Sequence, residues 1–515
     1  MRAVIYISLV LFAFSNVVKG QKSVKTIIEA VEANKMIYKD HLLLLNSNDQ
    51  KERTFRVSPD LKREILSGHS EFLSVLVPDN AEDNLRVFLR KMTSNGKSIK
   101  IRTSSGDSYS DDLIMSRTHY VGFVEGFEGK SLVSISLING NLSGFIAISG
   151  KETLLLSKGS NKDEYKLLEN NSKPILGSGC DMPDGIPQSE ELKKIYKSIN
   201  RANLNAPLVE GNQLQNSISV GNHVSVYVET NYFFYDELGS VNNVAEFIIA
   251  LYNQVTAIYT LEDIFLYPNE LFIWTTSDGY ASGSSSDALS DFIDERPSIT
   301  NSDLGQLLVG KTTVGSTGAG GIANGWGGIC ENTCTTYNGQ CSNHSAVLME
   351  LDYENFPTYS RQVKVITHEM GHNLGSYHTH DCAWGSSGDD AIDSCPGTSC
   401  SPDPGNPPSN GGTIMSYCDS YPSGSPVGVD FTLGFGNEPG DVIRAVLSTA
   451  NCSCNLVIDD HVISANSEIE ACDVDLSNIL IENNANVDIL YSGNVEITGE
   501  FEVEVGCTLS ISPDS

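Results

Sequence analysis

Apolar and polar residues alternate through Phe72-Leu73-Ser74-Val75-Leu76-Val77 and through Ser131-Leu132-Val133-Ser134-Ile135-Ser136-Leu137, a period of two that predicts strands. Residues 21 to about 180 therefore read as a mainly β unit. Near residue 218 the pattern changes. Val224, Val226 and Val228 alternate through a strand, and then Val244, Phe247, Ile248, Leu251, Val255 and Ile258 recur at helical spacing. Leu271 to Trp274 and Ala346 to Leu351 read as further strands, and a helix is expected from about Ser360 through Val363 and Ile366 to Asn373. This order predicts an α/β unit over 218–455. Beyond it, Val487 to Leu490, Val495 to Ile497 and Phe501 to Val505 alternate between glycine or asparagine turns, which predicts a small all-β module over 456–515, a sandwich or a ladder.

With 515 residues the chain has room for two or three such domains, and 40% hydrophobic against 19% charged residues marks it as largely folded. The first twenty residues, Arg2 followed by the apolar run Ala3 to Phe14, read as a secretory signal peptide. No other apolar stretch is read as long enough to span a bilayer. Secretion agrees with the cysteines: ten of the twelve lie between 330 and 472, a pattern suited to disulfides in an oxidising compartment. The formal net charge of −32 argues against nucleic acid as a partner, since phosphates would be repelled.

Candidate chemistry sits in one eleven-residue run, His368-Glu369-Met370-Gly371-His372-Asn373-Leu374-Gly375-Ser376-Tyr377-His378. On a helix, His368 and His372 share a face and can address one metal ion. Glu369 is placed to act as general base on a water at that ion. Gly375 lets the helix stop in a left-handed turn so that His378 can swing back. Three neutral imidazoles leave one coordination position open, as in catalytic zinc sites; structural sites are closed by four protein ligands. The glycine-rich run Gly318 to Gly328 lacks the lysine of a phosphate loop, so it reads as exposed backbone before the helix.

These residues, with Thr413-Ile414-Met415-Ser416-Tyr417 downstream, resemble the metzincin clan of zinc proteases. The resemblance implies zinc on His368, His372 and His378, Met415 as a hydrophobic floor, and an edge strand before the helix that pairs with extended peptide. Tyr417 matches the position at which astacin-like and serralysin-like members carry a tyrosine that ligates zinc or hydrogen-bonds the tetrahedral intermediate; packing is the plain alternative. Reprolysins put aspartate directly after the third histidine, whereas Thr379-His380-Asp381 follows here, so His380 stands as a rival ligand to His378.

The segment Thr118 to Gly126, with Ser131 to Leu137 and Gly144-Phe145-Ile146, is similar to reprolysin and adamalysin prodomains. That implies a prodomain and processing linker over 21–200, with Gly185 to Ser217 as the accessible stretch. Cys180, in Cys180-Asp181-Met182-Pro183-Asp184, resembles the inhibitory cysteine of matrix-metalloproteinase propeptides, although Asp181 replaces the usual glycine and no arginine precedes it. A disulfide or a plain thiol is the other reading. Asp381, Asp389, Asp390 and Asp393 are candidates for structural calcium, for selecting basic substrates, or for a merely solvated surface. The Cys472 region is similar to short β-repeat modules at the ends of secreted Bacteroidetes proteins, which implies sorting or anchoring at a cell surface; a stability cap is the alternative.

The expected protein is thus a secreted zinc endopeptidase made as a zymogen, acting on proteins or peptides. The contrasting expectation is a catalytically silent adhesion protein on the same scaffold.

Overall fold

The computed structural model describes strands Ile37–Lys39 and Leu42–Asp49, most of 52–169, Cys180, Leu192, 194–196, most of 222–311, 320–329, 343–350, most of 359–400, 408, 411–419, 428–449 and most of 456–513. The signal-peptide reading of residues 1–20 and the cysteines Cys330, Cys334, Cys341, Cys452, Cys454 and Cys472 lie outside the described residues.

Alternating segments of the N-terminal unit assemble into one ten-stranded sheet, antiparallel except where Ile37–Lys39 joins Phe72–Pro78. One face buries Phe55, Leu73, Val87 and Tyr120 with Leu61 and Ile65 of helix Pro59–Ser67. The middle of the other face is covered as well. Val121, Leu132, Ile138, Phe145 and Ala147 belong to the core of the next unit, so strand Ser131–Ile138 is buried at every position.

A second, seven-stranded sheet runs in the order Gly321–Ala323, His344–Glu350, Leu304–Lys311, Asn222–Thr230, Ile264–Ile273, Lys100–Thr103, Ser108–Ser110. Neighbouring strands are parallel except at its two ends, where Gly321–Ala323 and Ser108–Ser110 pair antiparallel. The last two strands come from the N-terminal half of the chain. A cut drawn between 200 and 218 therefore does not separate the sheets.

Helix Val241–Tyr259 crosses between the parallel strands Asn222–Thr230 and Ile264–Ile273, starting where Ser240 Oγ accepts from Asn243 N–H at 3.2 Å. By length and composition, Val241–Glu262 is apolar enough to cross a membrane, but 78% of that window is buried inside the fold. Its apolar surface is used twice, against its own sheet and against the ten-stranded one. Asn253 Nδ2 donates to Ser136 Oγ at 3.0 Å, and Asn141 Nδ2 to Glu246 Oε1 at 2.9 Å, across the second of these contacts.

The histidine helix Tyr359–Asn373 buries Val363, Ile366 and Met370 beside helix Val241–Tyr259. At the C-terminus, strands Leu456–Ile463, Val474–Ile481 and Val495–Val503 stack in parallel, as do Ser467–Ala471, Asn486–Tyr491 and Thr508–Pro513. Parallel pairing of alternate strands makes this a coil of repeated turns rather than an antiparallel sandwich, with Val474, Leu476, Val487 and Ile489 filling its axis. Asn478 and Gly499, and likewise Asn484 and Gly506, take positive φ at matching corners.

Candidate metal centre

The helix presents His368 and His372 one turn apart, and its end is set by Gly375. With φ +99°, Gly375 occupies the left-handed region, and a Cβ there would lie 2.7 Å from Val446 Cγ2. The reversal returns His378 to the same point. His372 Nε2 is 3.2 Å from His368 Nε2 and 3.1 Å from His378 Nε2, and all three rings are buried.

The orientation of two rings is fixed from behind. His368 Nδ1 donates to Ile414 O at 2.8 Å and His372 Nδ1 to Ser376 O at 2.7 Å, which leaves their Nε2 lone pairs pointing at one another. Two lone pairs at that separation do not bond; they require a cation between them. Four-coordinate zinc with bonds of ~2.0–2.1 Å places neighbouring ligand atoms about 3.3 Å apart, close to what these nitrogens adopt. Burial, joined for His368 by the charge of Lys364 and for His372 by His378, pushes both imidazoles well below the usual histidine range and keeps them neutral, the form that binds metal. The residues fit a zinc ion.

Glu369 is buried beside them, against the edge strand. A Cβ on Gly321 would lie 2.6 Å from Glu369 Cγ and 2.7 Å from Oε1, so the close approach depends on glycine. Met415 is fully buried below, its sulfur 2.9 Å from where a Cβ on Gly371 would stand.

Cys180 joins them along the edge strand. Its Sγ donates to Glu369 Oε2 at 3.1 Å and lies within ligand range of His368, His372 and His378. Among the described cysteines it is a thiol rather than half of a disulfide. Its backbone forms a parallel bridge to Gly321, and its N–H and C=O both meet Tyr417 Oη, at 3.2 and 3.1 Å. Tyr417 Oη is also 3.0 Å from His378 Nε2, while Lys364 Nζ stands 5.6 Å from the centre of the tyrosine ring and 3.4 Å from Asp419.

His380 is not part of this convergence. Its ring stacks on His378 at 5.0 Å and its nitrogens group with His378 and Asp381 instead. Asp381 is buried, accepts the His378 backbone N–H at 3.0 Å, and sets its carboxylate 3.6 Å from His378 Nδ1. Asp393 is buried as well and accepts from Cys395 N–H at 3.0 Å; its carboxyl is pushed up by burial. Of the four aspartates Asp389 alone is exposed, so the solvated-surface reading does not describe Asp381 or Asp393. Disulfide Cys382–Cys400 closes this loop on itself, and Cys395–Cys418 ties it to the turn after Met415.

Leu192 and Tyr196 depart from the accessible linker expected over 185–217. Both are buried, and Tyr196 Oη donates to Gly375 O at 3.0 Å while accepting from Tyr377 N–H at 3.1 Å. Its ring packs on Tyr377 and Trp384.

Residues 220–426 match the family model Reprolysin_5, metallo-peptidase family M12. Among solved structures, metalloproteinase-II from Bacteroides fragilis aligns over 60% of this chain and 82% of its own, with 12% identity and a TM-score of 0.30. A search of curated proteins returns no match.

Proposed function

We propose that this chain, whose residues 220–426 are those of a metzincin-like zinc metalloprotease, is a secreted endopeptidase held latent by its own residue Cys180. The observation that carries the reading is the meeting of His368, His372 and His378 at Nε2 separations of 3.1 and 3.2 Å, two of them locked with lone pairs inward. A zinc ion held there supplies Lewis acidity to a peptide carbonyl and a water acidified toward neutral pH.

The chain's own groups do the rest. Glu369 Oε2 takes the proton of the attacking water and delivers it to the leaving amine nitrogen. Tyr417 Oη donates to the oxyanion that develops on the attacked carbonyl. Strand Gly321–Ala323, already bridged to the backbone of Cys180, receives an extended peptide by strand addition. Cys180 occupies the place of the water and caps Glu369 Oε2, so its departure exposes the base. Asp381 holds His378 in position. A silent adhesion scaffold is not favoured, since it needs neither the intact histidine set nor the base.

The test compares the processed protein with Glu369→Ala for zinc content and for casein or gelatin cleavage. Wild type should bind zinc and cleave. The variant should bind equally and lose at least about a hundredfold in rate, the usual worth of a general base. Zinc binding without cleavage by the processed wild type would reject the reading.

A further inference from the structure

We propose that the N-terminal sheet remains on the catalytic unit after the Cys180 segment has left the cleft, as a lasting, non-covalent part of the working protein. The two contacts differ in kind.

At the cleft, Cys180 itself is held by one backbone bridge and a few polar bonds around groups that water can satisfy once it departs, and the following stretch is anchored by two buried side chains, Leu192 and Tyr196. The sheet hairpin is built into a core. Lys100–Thr103 adds in parallel to Ile264–Ile273, Ser104 N–H donates to Ile273 O at 3.1 Å, and Thr275 N–H donates to Ser104 Oγ at 2.9 Å. Ile101 is fully buried in the catalytic core. Arg102 Nε meets Glu270 Oε1 at 2.5 Å, and the Glu270 side chain is only 5% exposed. Losing the hairpin would strip a buried carboxylate of its cation and open a strand edge, both costly.

The second contact is apolar. Leu132, Phe145 and Ala147 of the ten-stranded sheet pack with helix Val241–Tyr259, and Phe145 meets Phe431 edge-on with centroids 5.5 Å apart. Separation would bare one face of that helix and one face of the sheet together, a patch of the sort that marks lasting interfaces.

The association does not depend on the catalytic reading; the word "working" does. The experiment uses the full chain in a Glu369→Ala background, with inserted recognition sequences for a site-specific protease between 171 and 179 and between 201 and 217. After folding, both sites are cut and the products are run by size exclusion with mass detection. Retention predicts one peak carrying the N-terminal and catalytic fragments, separable only in denaturant; two peaks in native buffer would overturn it. In a parallel sample, Ile101→Asp should divert the nicked protein into separate peaks, and unchanged co-elution there would overturn the hairpin's part. Casein cleavage by the same nicked chain with Glu369 restored tests the enzymatic reading separately, because elution is read without activity.

Discussion

Cys180 Sγ and Glu369 Oε2 stand 3.1 Å apart although 189 residues separate them along the chain. One thiol thus addresses both the Glu369 carboxylate and the histidine cluster. Cys180→Ala should give the uncut full-length chain a measurable rate on a fluorogenic casein, at least about tenfold above wild type, the equivalent of ~1.4 kcal/mol. A gel run beside the assay establishes that the chain is uncut. No rise in rate would remove Cys180 from the latency mechanism.

Gly321 lies directly against Glu369. Gly321→Ala sets a methyl group 2.6 Å from Glu369 Cγ, and the carboxylate must move to admit it. Overpacking of this kind costs about 1–3 kcal/mol. The expectation is a fall in kcat of roughly ten- to a hundredfold with zinc stoichiometry unchanged. A variant of wild-type rate would mean that the base need not sit where it does.

Asp381 bears on the third histidine through both its backbone N–H and its far ring nitrogen. Asp381→Asn keeps an acceptor and removes the charge. Zinc affinity, read by titration against a chelator of known strength, should fall about 10- to 100-fold. Equal affinity would reduce Asp381 to a packing residue.

Two histidines away from the centre set an acid limit. Burial lowers His119 to about 3 and His344 to about 4, against about 6.5 in an unfolded chain. The unfolded state binds these protons first as pH falls. Their contribution is therefore complete above about pH 6.5 and declines below it, by up to ~1.4 kcal/mol per pH unit for each site. Urea midpoints measured from pH 7 to pH 5 should drop, and His119→Gln should make the decline shallower. Parallel curves for the two proteins would exclude His119 as a source.

The eleven residues from His368 to His378 were legible because the chemistry is local: helical spacing and one glycine fix three nitrogens without distant information. Asp381 was harder to read, since its position among several aspartates of an irregular loop gives no sign that it turns back onto His378. Leu192, Ile195 and Tyr196 lie at helical spacing in a polar stretch, and that spacing was the available signal that the stretch docks. Strand periodicity marks neither partner nor sheet, which is why the addition of Lys100–Thr103 to a strand 164 residues further on was hidden. The same limit applies to Ser131–Ile138, where the alternation marks a strand but not that Ser136 Oγ accepts from Asn253 of helix Val241–Tyr259.

The C-terminal coil has a mechanical meaning. Each strand there pairs with its counterpart one turn away, so a turn can be inserted or deleted without changing the register of any strand in the catalytic sheet. Every such change moves the far end by about 4.8 Å, the spacing of paired strands. The coil's length is thus free to vary while the catalytic sheet keeps its own register.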